Sequence, residues 1–256
     1  MMKTLAVLLL TISHTFLFAQ KNRDAKTKVI AHRGAWKNTK VPENSIASLQ
    51  EAIKMHCYGS EFDVHMSADN ILFVHHDHDV NGINIETTSA AELQKLKLSN
   101  GESLPTLKEY LKAGKQKKTR LVLEIKASKV SKERSLALAQ KCVEMVKDLK
   151  VESITDYISF DLDVCLLVKK MAPKAEVSYL LGDKSPDEIK EMGLSGVDYH
   201  YTVFKKQADW VREFNSKGMV TNAWTVNDKE TMQSLMDQGI NYITTNEPEL
   251  LIELIK

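Results

Sequence analysis

Residues 120–160, RLVLEIKASKVSKERSLALAQKCVEMVKDLKVESITDYISF, contain the repeating unit that decides the fold. A short β-rich run, Arg120 to Ile125, precedes a longer segment, Lys132 to Leu149, in which apolar residues recur at helical spacing. A second β-rich run, Tyr157 to Phe160, follows. A strand, a helix and another strand in this order are typical of two parallel strands with a helix that covers the sheet between them.

The same alternation extends along most of the chain. It predicts eight strands, at Val29–Ala31, Ser60–His65, Arg120–Ile125, Tyr157–Phe160, Val177–Leu181, Gly196–Tyr199, Met219–Thr225 and Tyr242–Thr245. Apolar residues at helical spacing occur at 45–56, 132–149, 161–171, 205–217, 229–238 and 248–255. Eight parallel strands with covering helices close into an α/β (β/α)8 TIM barrel, and 256 residues suit one such domain.

This single-domain prediction has one alternative fold and two local refinements. An open, doubly wound sheet is the alternative fold, but the strands are spread evenly and no glycine-rich dinucleotide loop follows the first. The run from Ile71 to His75 departs from strict alternation, and we expect it to pair with the second strand as a hairpin. The segment after it, Gly82 to Leu104, predicts a small or reduced insertion after the second strand.

The first residues differ in character from the rest of the chain. A basic residue precedes an apolar run, Leu5 to Ile12, which predicts a cleavable signal peptide over residues 1–20 and a short polar leader over 21–27. Ser13 interrupts the run well short of the roughly 20 apolar residues that span a membrane. We therefore expect an exported protein, periplasmic or secreted, with no stable membrane anchor and with its TIM-barrel domain over residues 28–256.

Composition limits the classes of partner. The 35 basic and 34 acidic side chains nearly cancel, so no broad positive surface for nucleic acid is expected and any anion must be bound locally. The three cysteines, Cys57, Cys142 and Cys165, are an odd number without metal-like spacing, and each lies among apolar neighbours. We interpret them as buried core thiols. The composition favours a small-molecule substrate and leaves the oligomeric state open.

Three carboxylates lie on neighbouring predicted strands. Glu61 and Asp63 are two residues apart, so both point to one face, and Glu124 lies on the next strand of the barrel. Buried acids repel one another unless a cation neutralises them, and oxygen-only ligation suits Mg²⁺, Ca²⁺ or Mn²⁺. We expect one divalent cation, Mg²⁺ or Ca²⁺. The alternative is that the acids form ion pairs with Arg33 and Lys126.

Two histidines at strand ends are candidates for proton transfer. His32 ends the first strand and His76 follows the hairpin, and an imidazole with an ordinary pKa of about 6.5 can both take and give a proton at neutral pH. Arg33 offers a planar fork for phosphate oxygens, and Asp77 could orient His76. The adjacent His75 leaves open which histidine faces inward.

A zinc site is a weaker alternative. His65, His75, His76 and His78 could supply nitrogen ligands, but their spacing lacks a repeating zinc pattern and an extended strand would point two of them away from the others. No nucleophile elbow for Ser-His-Asp chemistry is present.

Four further residues are candidates for substrate contacts or for structural roles. Glu43 lies just before a predicted helix and could reach the cation or a substrate hydroxyl, although it could also favour the helix dipole. Lys126 ends the third strand and could bind a phosphate oxygen, and Trp224 could form an apolar wall for a substrate. The role of His200 is left open.

These residues resemble the glycerophosphodiester phosphodiesterase family, a branch of the phosphatidylinositol-phospholipase-C-like TIM barrels. The resemblance covers nearly the whole of residues 28–256 and rests on eight motifs in order: His32-Arg33-Gly34, Pro42-Glu43-Asn44-Ser45, Glu61-x-Asp63, Val74-x-His76-Asp77, Leu104-Pro105-Thr106-Leu107, Leu123-Glu124-Ile125-Lys126, Ala223-Trp224-Thr225-Val226-Asn227 and Ile243-Thr244-Thr245-Asn246-Glu247-Pro248.

The resemblance implies a function and a set of roles. The family hydrolyses deacylated phospholipids such as glycerophosphocholine to sn-glycerol 3-phosphate and an alcohol, and attack by the neighbouring glycerol hydroxyl would pass through a cyclic phosphate. The implied roles are catalysis by His32 and His76, a divalent metal on Glu61, Asp63 and Glu124, and phosphate contacts from Arg33 and Lys126. The resemblance also favours His76 over its neighbours.

The sequence departs from the family pattern at two positions. Ile85-Glu86-Thr87-Thr88 lacks an arginine that is common there, and Asn246 stands where an aspartate is common, which we expect to be a structural change. Alternative functions are a phosphodiesterase of the same type acting on lysophospholipid or inositol phosphodiesters, and a non-catalytic glycerophosphodiester-binding protein.

Overall fold

The computed structural model describes residues 26–256, so the predicted signal peptide and most of the leader lie outside the described residues. Eight parallel strands form a closed ring, because the first strand pairs both with the second and with the last. The predicted TIM barrel is therefore confirmed. In chain order the strands of the ring are β1 (Lys28–Ala31), β2 (Gly59–Met66), β6 (Arg120–Ile125), β7 (Thr155–Ser159), β8 (Val177–Tyr179), β9 (Gly196–His200), β10 (Val220–Trp224) and β11 (Tyr242–Thr245).

Helices cover the outside of the ring. They are α1 (Ile46–Lys54), α2 (Ala90–Leu93), α3 (Leu107–Gly114), α4 (Lys132–Asp148), α5 (Leu162–Met171), α6 (Pro186–Glu191), α7 (Tyr201–Lys206), α8 (Trp210–Ser216), α9 (Lys229–Asp237) and α10 (Pro248–Leu254). A single 3-10 turn, Glu152–Ile154, precedes β7. Within residues 26–256 no helix is long and apolar enough to cross a membrane.

Alternation along β2 separates two layers of packing. Phe62 and Val64 are fully buried in the large apolar core between the strands and the helices, which leaves Glu61 and Asp63 on the inner face. A smaller apolar cluster, which includes Ile30, fills the barrel interior. The three cysteines are buried and unbonded, as predicted.

The insertion after the second strand is small, as expected. Strand β3 (Leu72–Val74) pairs antiparallel with β2, and a two-residue ribbon follows, β4 (Asp79–Val80) with β5 (Ile83–Asn84). This ribbon and α2 enclose a separate apolar cluster that contains Phe73, Ile85 and Leu93. The insertion therefore has a core of its own beside the mouth of the barrel.

The helix predicted over 205–217 is wrong in its bounds. The structure has α7 and α8 instead, because Gln207 leaves helical conformation (φ −114°, ψ 69°). The break lets Trp210 pack near Tyr199, with ring centroids 6.3 Å apart. Helices α3 and α6 were not predicted, although each begins with a capping box at Thr106 or Ser185.

Candidate active site

The predicted polar residues meet at the carboxyl ends of the strands, where TIM barrels carry their active sites. A cavity of about 150 Å³ opens there. Its lining includes seven of the nine predicted site residues: His32, Arg33, Glu61, His76, Glu124, Lys126 and Trp224. Asp63 lies beside this cavity, bound to Lys126. Glu43 does not line it and instead accepts a hydrogen bond from Arg33, with Oε1 and Nη1 2.8 Å apart.

The turn after β1 brings the chain close to helix α1. Gly34 has φ +81°, and a Cβ there would lie 2.3 Å from the Ser48 hydroxyl, so only glycine fits without a shift. Arg33 also has a positive φ, 57°. In this conformation its backbone N–H donates to Glu61 Oε2 at 2.8 Å. The turn thus holds both a phosphate-binding candidate and a metal-ligand candidate.

The three predicted carboxylates form a compact buried group. One oxygen each from Glu61, Asp63 and Glu124 lies within 4.8 Å of the other two. Glu61 is 2% exposed, and its Oε1 has no hydrogen-bond partner among residues 26–256. A buried oxygen without a partner is costly unless a proton or a cation satisfies it. The group therefore fits one hard divalent cation in charge, donor type and orientation.

The pKa values of these acids diverge because their surroundings differ. Burial, with the charges of Asp63 and Glu124, raises the pKa of Glu61 well above its usual range. Burial and the charge of Asp63 likewise raise the pKa of Glu124 to about 7. Burial opposes ionisation of Asp63 too, but the charge of Lys126 and a hydrogen bond from Asn44 help to lower its pKa to about 2.

Lys126 and Arg33 provide the positive charge around the acids. Lys126 Nζ lies 2.8 Å from Glu124 Oε1 and 3.2 Å from Asp63 Oδ1. Burial disfavours its charge, but these two carboxylates outweigh burial and raise the pKa of Lys126. The ion pairs considered as an alternative thus exist, but among residues 26–256 they leave His32, at 3.9 Å, as the one basic side chain within ion-pair distance of Glu61.

His32 is held by a residue from the opposite end of the chain. Its Nδ1 lies 2.8 Å from Asn246 Oδ1, so the Asn246 side chain contacts a candidate catalytic residue. An amide oxygen accepts, so Nδ1 carries the proton and Nε2 has a free lone pair. Burial and the charge of Arg33 lower the pKa of His32 to about 4. His32 is therefore neutral at pH 7, as a base requires.

His76 faces the same cavity, while its neighbours point elsewhere. Its Nδ1 is 2.7 Å from Asp77 Oδ1, the orientation proposed from the sequence. His65 and His78 meet edge to face, with ring centroids 4.8 Å apart. No group of three or more metal-ligating side chains within residues 26–256 includes these histidines, so the structure gives the zinc alternative no support.

Trp224 lines the cavity and belongs to a group of aromatic rings. Its indole Nε1 donates to the backbone oxygen of Asp198 at 3.0 Å, which fixes the plane of the ring. Phe160 and His200 meet this ring edge to face, at centroid distances of 5.5 and 5.2 Å. His200 also caps helix α7 through Thr202.

Sequence reasoning missed two residues of the site. Asn44 accepts the Asp63 N–H through Oδ1 at 3.1 Å and donates to Asp63 Oδ2 at 2.8 Å. In the sequence Asn44 directly precedes Ser45, which caps helix α1. Asp198 forms part of the floor of the cavity, and burial raises its pKa well above the usual range. The signal in the sequence that points to Asp198 is its position two residues before His200 on the same strand.

Comparison with known proteins agrees with this geometry. The sequence pattern of the glycerophosphoryl diester phosphodiesterase family matches residues 32–250. A glycerophosphodiester phosphodiesterase of Caldanaerobacter subterraneus is 31% identical over 245 residues, which cover 90% of this chain and 98% of that protein. Another such enzyme, from Parabacteroides distasonis, has a crystal structure with 47% identity and a TM-score of 0.88, covering 90% of this chain and 97% of that one.

A third relative was solved with a product bound. The phosphodiesterase of Oleispira antarctica, in complex with sn-glycerol-3-phosphate, is 25% identical to this chain with a TM-score of 0.78. The alignment covers 90% of this chain and 97% of that protein. The sequence motifs, the barrel and the site lead to one conclusion: the chain belongs to the glycerophosphoryl diester phosphodiesterase family.

Proposed function

We propose that the protein hydrolyses glycerophosphodiesters to sn-glycerol 3-phosphate and an alcohol, in a reaction that depends on one divalent cation, Mg²⁺ or Ca²⁺. The observation that carries this proposal is the joint lining of one cavity by His32, His76, two basic side chains and two of the three carboxylates, Glu61 and Glu124. The product complex of the Oleispira relative supports the same product here.

The basic side chains suit the phosphate. Arg33 and Lys126 both line the cavity, and a guanidinium beside an ammonium can hold two non-bridging phosphate oxygens. Glu61, Asp63 and Glu124 would hold the cation, which supplies charge neutralisation for the phosphate and lowers the pKa of a nearby hydroxyl. Glu43 would act at one remove, by holding Arg33 in place.

The two histidines divide the proton transfers. His32 Nε2, with its free lone pair, takes the proton of the glycerol hydroxyl beside the phosphate, and that oxygen attacks phosphorus. His76 gives a proton to the alcohol oxygen as its bond to phosphorus breaks, which leaves a cyclic phosphate. Water then opens the ring while the histidines exchange roles, so the enzyme returns to its starting protonation state.

The cavity has the size of the reacting end of a phosphodiester. Its volume of about 150 Å³ lies below the roughly 300–1,000 Å³ that is usual for sites that enclose a drug-sized ligand, so the rest of the substrate would extend out of it. A binding protein would not need a free imidazole lone pair beside the carboxylates, so the state of His32 favours an enzyme over that alternative.

The test is release of glycerol 3-phosphate from glycerophosphocholine. We expect release by the wild-type protein, loss with EDTA, recovery with Mg²⁺ or Ca²⁺, and loss in both His32→Ala and His76→Ala. Lysophosphatidylcholine and glycerophosphoinositol run in parallel decide the substrate class. Tight binding of glycerophosphocholine without product would instead establish a binding protein.

We also propose that the protein is exported. The support is the apolar run Leu5 to Ile12 behind a basic residue. Fractionation of cells that express the full chain, with N-terminal sequencing of the product, tests this. A product that begins near residue 21 and lies outside the cytoplasm is the expected result.

A further inference from the structure

The loop that carries His76 leaves the sheet directly after β3. The N–H of His75 still donates to the Asp63 carbonyl at 3.0 Å. At the next residue the backbone hydrogen bonds between β2 and the loop end. The carbonyl oxygen of His76 is hydrogen-bonded to a side chain instead, with His65 Nε2 3.1 Å away. A carbonyl oxygen can only accept, so the proton of this hydrogen bond belongs to His65 Nε2.

His65 is placed for this contact by the strand that carries the acidic group. It lies on β2 two residues beyond Asp63, on the same face, and opposite Phe73 in the antiparallel register with β3. The residue is 1% exposed. A buried ring on the rigid barrel thus supports the backbone of a loop that has just left the sheet.

A second histidine fixes the plane of this ring. His78, at the far side of the loop, meets His65 at a ring angle of 62°. Behind it lies Glu86, whose Oε2 is 3.7 Å from His78 Nδ1. Glu86 stands in the segment that departs from the family pattern.

Glu86 is itself tied to the start of helix α4. It accepts hydrogen bonds from the Ser128 hydroxyl, from the Lys129 N–H at 3.0 Å and from Arg134 Nε at 3.3 Å. Arg134 also donates to the carbonyls of β2 and of the residue after it, Met66 and Ser67. The edge-to-face contact of His65 and His78 therefore lies against a glutamate that hydrogen bonds hold in place.

We infer that His65 is a positioning residue for the reaction: its Nε2–H holds the carbonyl of His76 and so sets the place of the His76 imidazole over the cavity. The inference rests on the proposed function for the catalytic role of His76. This role requires only that residue 65 carry a hydrogen-bond donor at the distance that His65 Nε2 reaches. It requires neither a charge nor a bond to a metal.

Three substitutions of His65 separate the donor from the packing. His65→Phe keeps a ring against His78 but removes the N–H. His65→Gln carries an amide N–H that reaches about as far as Nε2, and His65→Asn carries the same amide one methylene shorter. His56→Asn, at an exposed histidine on the other end of the barrel, is the control.

With glycerophosphocholine we expect kcat of His65→Phe and His65→Asn to fall about 10- to 100-fold, because a shift of about 1 Å in a catalytic group has effects of this size. KM should change less than about twofold, and His65→Gln should recover most of kcat. Equal losses in the Gln and Phe variants, or a loss confined to KM, would overturn the inference.

A measurement that does not need turnover keeps the inference separate from the proposed function. Hydrogen exchange of peptides that cover residues 73–80 should speed up at least about fivefold in His65→Phe and return toward the wild-type rate in His65→Gln. Unchanged exchange in His65→Phe overturns the positioning role. Absence of glycerol 3-phosphate release by the wild type, in contrast, overturns only the proposed function.

Discussion

The two ends of the barrel both bury acidic side chains, but they partner them differently. At the amino end, Arg120 donates from Nε and Nη2 to the two oxygens of Asp156, each at 2.5 Å, and from Nη1 to the Ser153 carbonyl. At the carboxyl end, Glu61 keeps an oxygen without a hydrogen bond. Removal of one partner of a matched pair leaves a buried charge uncompensated and destabilises the folded chain, whereas an acid without a partner is itself costly unless a proton or a cation satisfies it. The comparison separates a stabilising end from a binding end.

The largest effect is expected from removing the unmatched charge. Glu61→Gln keeps an acceptor for the Arg33 N–H but removes one metal-ligand oxygen charge, so glycerol 3-phosphate release should fall about 10³-fold. Because the raised pKa of Glu61 favours its neutral form when no cation is bound, the neutral amide should leave the thermal midpoint without added cation the same or slightly higher. The two readouts are steady-state kinetics and calorimetry in EDTA. Retained activity, or a clear loss of stability, would contradict the assignment of this end to binding.

The matched pair at the other end should behave in the opposite way. Arg120→Ala leaves Asp156, which is nearly buried, without its guanidinium and should lower the free energy of unfolding by about 3 kcal/mol. Below the melting temperature kcat should change less than about twofold, since Arg120 is at the far end of the strand from the cavity. Urea titration and kinetics of the same preparation measure both.

Asp156→Asn and the double variant complete a cycle for this ion pair. A coupling free energy near zero would mean that the contact between Arg120 and Asp156 stabilises the folded chain no more than contact of each side chain with water would. The contrast between the two ends of the barrel would then fail.

A smaller effect should appear in the pH dependence of stability. Burial and the charge of Asp156 raise the pKa of Glu176, at the amino end, to about 7. Because the folded state holds this proton more tightly than the unfolded state, stability is greatest below about pH 4.5 for this group and falls as the pH rises toward 7. The loss should be about 2 kcal/mol, since solvent screens part of the roughly 3 kcal/mol that the pKa difference implies.

Calorimetry from pH 4.5 to 8 in EDTA checks this slope. Glu176→Gln should reduce it, and Mg²⁺ or Ca²⁺ should remove only the part due to Glu61 and Glu124, whose raised pKa values have the same sign of effect. A cation that flattened the Glu176 contribution as well would show that the two ends do not act separately.

The sequence predicted the parts of the site that follow a local period. Glu61 and Asp63 alternate with Phe62 and Val64, so their shared inward face could be inferred from four adjacent letters. The contact of His32 with Asn246 joins residues 214 positions apart and follows only once the barrel closes. The contact of Trp210 with Tyr199 that the break between α7 and α8 allows likewise appears only in the folded chain. Local sequence patterns were therefore sufficient to predict the fold and most of the residues that line the cavity. The protonation states depend in addition on hydrogen bonds between residues that are far apart in the chain.

The smallest effect is expected from restoring the more common acid beside His32. In Asn246→Asp a carboxylate replaces the amide oxygen 2.8 Å from Nδ1, stabilises the imidazolium and raises the pKa of His32 from about 4 by about one unit or more. A base must be neutral, so the acid limb of kcat/KM should move to higher pH by the same amount, while the rate at pH 8 stays within about twofold. The profile from pH 4 to 9 at saturating cation measures this, with Asn227→Asp as the matched control, because Asn227 accepts from the Asn246 backbone and not from His32. An acid limb that did not move, or that moved equally in the control, would mean that the side chain at position 246 does not influence the pKa of His32 through the contact with Nδ1.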